Sequence, residues 1–228
     1  MTPHRTVSAS LEHRTRTAGG APLLTHYGPA TERTELSVAS FANWVAKTVN
    51  LLDDLGLDAD ATVTLPVLAG RPAHWMALVW PFALWQAGLP AHLDAPDADL
   101  AVLGPDAPAP AAPTTLACSL DAWGRGLADL PGGVLDYSTE ALAQSDFAQS
   151  TPADKDAPAW VEPGHDLSVG DLAALDPITD RVLAQPTSAH EAVLLLARAI
   201  LGGGSVVFVE SAGDPARTAT AEKARVLR

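Results

Sequence analysis

The stretch from Pro72 to Leu93 constrains this chain more than any other. Trp75, Met76, Leu78, Val79, Trp80, Phe82, Leu84 and Trp85 put apolar side chains on every side of a helix, which leaves no face for water. His74, Pro81, Gln86 and Gly88 interrupt the run too often for a bilayer span. The segment is expected to be a helix enclosed by protein. Trp75, Trp80 and Trp85 are spaced by five and cannot share one stripe. Core packing explains them; the alternative is that one ring faces a partner.

A helix enclosed in this way needs layers around it, and 228 residues, 47% of them hydrophobic, suffice to build them. Residues 1–20 end in Gly19 and Gly20 without apolar periodicity and are expected to form a disordered tail. Two short strands, Leu23 to Tyr27 and Thr31 to Leu36, flank a turn at Gly28 and Pro29. Ser37 then caps a helix whose apolar positions Val38, Phe41, Val45, Val49 and Leu52 recur every three or four residues. A strand from Thr62 to Leu68, the enclosed helix and an extended segment to Leu93 continue in βαβ rhythm. Further strands are expected at Leu100 to Leu103 and Thr114 to Cys118, with a helix from Leu120 to Leu130.

The weakly patterned residues 143–158 mark the expected boundary between a first α/β half, 21–150, and a second, 151–228, packed on the same core. The second half reads as a strand at Ala159 to Val161, a short helix at Ser168 to Leu175, a strand at Arg181 to Ala184, a helix at Ser188 to Leu201, a strand at Ser205 to Val209 and a closing helix from Asp214. The fold class is α/β, with a largely parallel sheet flanked by helices.

Fourteen Lys and Arg against twenty-seven Asp and Glu give a net charge of −13, which opposes polyanions. Nucleic acid and membrane are excluded as partners. The first eighteen residues lack the apolar core of a secretion signal, so a cytoplasmic location is expected. Cys118, the single cysteine, is expected to be a buried thiol.

Chemistry-bearing patterns are few. The histidines at 4, 13, 26, 74, 92, 165 and 190 show no zinc spacing; each reads as a surface or half-buried residue, and no metal site is expected. Gly202, Gly203 and Gly204 follow a helix and precede a strand, the reverse of a phosphate loop, so they read as a helix stop. The only lysines, Lys47, Lys155 and Lys223, stand in an amphipathic helix, beside aspartates in a loop, and near the C-terminus. None adjoins a glycine-rich turn, as a cation held against phosphates would. No catalytic residue and no cofactor is expected.

Thr34 to Leu57, Thr62 to Pro66 and Leu84 to Pro90 resemble the opening strand–helix–strand run of AMP-forming acyl-CoA synthetases. The resemblance resumes at Asp156 to Ala159 and from Asp180 through Ala199 to Val209. Between them such a synthetase carries its Thr/Ser/Gly-rich phosphate loop, where this chain has Trp160 to Ser168. His190 falls one position late for the family's aromatic–His pair, so no substrate-binding role passes to it. Glu222 to Arg228 resembles a segment inside the family's core, and the resemblance implies that the adenine and ribose contacts and the mobile C-terminal domain lie beyond this chain. The pattern is most similar to short synthetase-like proteins of the TIGR03089 family. It implies a non-catalytic, synthetase-like scaffold for a ligand, a protein partner or a second copy of the chain. The alternative is one subunit of a split adenylate-forming ligase whose partner supplies the ATP site.

Overall fold

A computed structural model describes residues 5–29, 32–106, 108–109, 111–210 and 214–227. Its strands form two sheets. The first contains β1 (Pro22–Tyr27), β2 (Arg33–Ser37), β10 (Arg181–Ala184), β11 (Ser205–Val209) and β12 (Arg225–Val226), in the order β12-β10-β11-β1-β2. Its pairs are parallel except β1 with β2. The second contains β3 (Val63–Thr64), β4 (Ala91–His92), β5 (Leu100–Leu103), β6 (Thr114–Ala117), β7 (Leu135–Asp136), β8 (Pro158–Val161) and β9 (Leu167–Ser168), in the order β7-β6-β5-β3-β4-β8-β9. Only β8 with β9 is antiparallel there.

The enclosed helix is α4 (Trp75–Ala87), with every residue buried but the last. It packs against α2 (Val38–Asp54), α1 (Val7–Ala18), α7 (Ala189–Gly202) and β4. All three tryptophan rings lie in the core, and each indole N–H finds an acceptor: Ala122 O at 3.2 Å for Trp75, Cys118 Sγ at 3.3 Å for Trp80 and Ala159 O at 2.7 Å for Trp85. Partners of this kind offset the cost of burying an indole N–H. Cys118 is fully buried, which pushes its thiol up to about 12.

Three expectations are corrected. Residues 7–18 are helix α1, not a disordered tail: Thr6 caps it, and Val7 and Leu11 enter the core. Strands from residues 21–150 and 151–228 pair with one another, β1 with β11 and β4 with β8, and both stretches contribute to one core. Residues 65–68 leave β3 for the short helix α3 (Pro66–Gly70), with proline at its first position where no N–H is needed. Residues 120–130 are not helical. Asp121 Oδ1 accepts from the backbone N–H of Trp123 at 2.8 Å and of Arg125 at 3.2 Å, and Asp136 Oδ2 accepts from Leu127 N–H at 2.7 Å. These side chains take the donors a helix would use. The helix in this region is instead α5 (Tyr137–Leu142), capped by Asp136.

The remaining helices are α6 (Val169–Ala173), started by a Ser168–Asp171 capping box, and α8 (Pro215–Glu222). Glu222 ties α8 to the first sheet, accepting from Tyr27 Oη at 2.5 Å, Arg181 Nη2 at 2.6 Å and Arg33 Nε at 2.8 Å. The Arg33 hydrogen bond, above all, holds the Glu222 carboxyl down at about 2. Among the described residues no helix is long and apolar enough to cross a membrane.

Candidate functional site

Parallel strands end together, and ligands of open α/β folds bind in the crevice beyond their carboxyl ends. In the second sheet, β4 and β8 end side by side, with His92 opposite Val161. The chain then turns through residues 162–166 into β9. Glu162 N–H donates to Asp166 Oδ1 at 2.9 Å, His165 N–H donates to Glu162 O at 2.8 Å, and Gly164 takes φ +82. A positive φ at that point is cheap only for glycine. The result is a tight, self-bonded turn.

The turn faces the start of α7. The His190 and His165 rings lie 4.9 Å apart, and His190 Nδ1 is 3.6 Å from Glu162 Oε2. The same carboxylate oxygen accepts the Trp160 indole N–H at 3.0 Å. Burial holds His190 below its ordinary value; Glu162 opposes this and His165 adds to it. Burial likewise lowers His92, with Asp166 opposing. Burial thus favours the neutral form of the His190 and His92 rings, each able to donate at one nitrogen and accept at the other.

Neither the turn, residues 160–168, nor the first turn of α7 contains a lysine or arginine. The amino end of α7 is already occupied. Ser188 Oγ accepts from Glu191 N–H at 3.1 Å, and Glu191 Oε2 accepts from Thr187 N–H at 2.9 Å. A helix amino terminus attracts anions through its free N–H groups and dipole. Here the protein's own serine and glutamate take that place.

A second polar group lies at the carboxyl ends of β1 and β11. His26 and His74 are buried with ring centroids 4.7 Å apart, which corrects their reading as surface or half-buried residues. Arg71 Nε donates to Glu210 Oε2 at 3.0 Å, and His26 Nε2 is 3.3 Å from Glu210 Oε1 without hydrogen-bond alignment. Burial pushes His74 down to about 3, aided by His26 and Arg71. Burial alone would raise Glu210, but its contacts with His26 and Arg71 hold it at about 2. The cluster joins the loop after α3 to the first sheet.

The other sequence candidates have structural places. Gly203 ends α7 with φ +85, and a Cβ on Gly202 or Gly204 would run into the backbone of Ile178. Lys47 pairs with Asp146 at 2.8 Å, Lys155 with Asp156 at 2.8 Å, and Lys223 caps α8. His4 lies outside the described residues. Among the described residues no group of three or more His, Cys, Asp or Glu side chains is arranged to hold a metal ion. Local spacing carries no sign that His165 and His190 meet, because His165 follows β8 of the second sheet and His190 opens the helix that joins β10 to β11 of the first.

The two largely parallel sheets flanked by helices match the fold of acyl-CoA synthetase N-terminal domains. The Brucella canis acyl-CoA synthetase superposes with TM-score 0.70 at 15% identity, over 96% of this chain and 45% of that one. The coronafacic acid ligase of Pectobacterium brasiliense superposes with TM-score 0.68 at 9% identity, over 90% of this chain and 46% of that one. The chain thus spans under half the length of these structures, and identities this low establish the fold alone. No family model matches the sequence. A TIGR03089 family protein of Mycobacterium tuberculosis strain H37Rv is 34% identical over 247 residues of alignment, covering 99% of both chains. The chain belongs to the TIGR03089 family.

Proposed function

We propose that this protein is a non-catalytic, acyl-CoA synthetase-like scaffold that binds a ligand or protein partner and does not itself adenylate a carboxylic acid. The observation that carries this reading is the turn at Glu162 to Asp166, closed by the Asp166 carboxylate and the Glu162 carbonyl where the resemblance puts a synthetase's phosphate loop. A triphosphate is held by cations, metal or aimed backbone amides. Here Glu162 and Asp166 would repel it, and Glu191 competes for the amino end of α7. Calorimetric titration with Mg·ATP is expected to show no saturable binding; micromolar affinity would overturn the reading.

A second reading, one subunit of a split adenylate-forming ligase, is favoured by a groove of about 780 Å³ beside α7. Leu183, Leu194, Val226 and Leu227 line it next to the edge strand β12. On this reading, acid-dependent pyrophosphate release appears when a candidate second subunit is added.

A further inference from the structure

The polar face of α1 borders a cavity. Ser10, His13, Arg14 and Thr17 follow at helical spacing and line a space of about 600 Å³, closed opposite by residues 173–177 and by the carboxyl end of α7. The Arg14 side chain is buried, its residue 7% exposed. It donates from Nη1 to Ala199 O at 2.8 Å and from Nη2 to Gly204 O at 3.0 Å and Gly203 O at 3.3 Å.

Those carbonyls make Arg14 a cap for α7, but they do not balance its charge. A helix carboxyl end carries about half an elementary charge against the full unit of a guanidinium. Buried charges are ordinarily paired. No carboxylate pairs with Arg14 among the described residues, and burial is the cause that lowers its pKa. Arg5 and His13 also line the cavity, against one acid, Asp176, among the described lining residues. In a chain of net charge −13 this is a local reversal of sign.

We infer that the cavity between α1 and the end of α7 binds a small organic monoanion, its carboxylate at Arg14 and its apolar body against Ala18, Leu175 and Leu201. The apolar wall favours a carboxylate with a hydrocarbon body over an inorganic anion. The site lies at the opposite end of α7 from His190, and the inference holds whether or not the chain binds ATP.

Calorimetry on the full chain with hexanoate, hexanol and inorganic phosphate tests it. Saturable binding is expected for hexanoate and absent for hexanol, with phosphate weaker than hexanoate. Arg14→Met should weaken hexanoate about tenfold or more, the worth of a charged hydrogen bond. Because that variant also loses the α7 cap, Ala174→Trp supplies a second test: it obstructs the cavity from an exposed position with Arg14 in place, and should abolish binding. No saturable hexanoate binding, equal binding of hexanol, tighter binding of phosphate, or unchanged affinity in Ala174→Trp would each overturn the proposal.

Discussion

The Glu162 carboxylate lies 3.6 Å from Nδ1 of His190, reaching across from the β8–β9 turn to the first turn of α7. The contact joins the second sheet to a helix packed on β1 and β11 of the first sheet.

Glu162 opposes the burial that lowers His190. Replacing it with glutamine removes the charge while keeping the shape, so the His190 imidazole should titrate at still lower pH in Glu162→Gln. Histidine ring resonances followed by NMR against pH check this. A rise instead would mean that the carboxylate does not act on His190.

The His26–His74–Glu210 cluster makes the fold sensitive to acid. His74 is held at about 3 against an ordinary 6.5, so the unfolded chain binds its proton first as pH falls. Its contribution is present above 6.5 and lost between 6.5 and 3. Glu210, at about 2 against 4.5, contributes above 4.5 and loses that contribution as pH falls toward 2. Both effects have the same sign and together are worth roughly a few kcal/mol. Urea unfolding from pH 7 to pH 4 should show falling stability, with a flatter profile in His74→Gln.

Arg14 closes the end of α7 through three carbonyls. Arg14→Met leaves them unsatisfied in a buried setting and should cost about 2–4 kcal/mol in denaturant unfolding. A loss below about 0.5 kcal/mol, typical of surface changes, would contradict the capping role.

Gly202 and Gly203 differ in what they require. Gly203→Ala meets open space but strains a positive φ, at about 1–2 kcal/mol. Gly202→Ala places a Cβ 2.5 Å from the Ile178 carbonyl carbon, so backbone must move. It should cost more than Gly203→Ala, about 2–4 kcal/mol. The order of the two midpoints in urea is the check.

Much of the fold was legible in local pattern. Ser37 caps α2 where the three- and four-residue spacing begins, and β10 runs from Arg181 to Ala184 as its apolar residues indicate. What escaped depended on side chains acting against pattern or on distant pairing. The buried face of α1 carries two large apolar residues, Val7 and Leu11, with Ser10 and Arg14 at its other positions, so its periodicity is hidden. The helix expected at residues 120–130 gave way to Asp121 and Asp136, whose carboxylates capture backbone donors. The His165–His190 contact needed the register of two sheets, which no local spacing carries.

On the proposed reading, the turn at Glu162 to Asp166 leaves the chain unable to activate a carboxylic acid. Acid-dependent exchange of labelled pyrophosphate into ATP measures that activity in the full chain alone. No exchange above background is expected with any of a panel of short, long and aromatic acids; exchange that depends on the acid and on magnesium would overturn the proposed function.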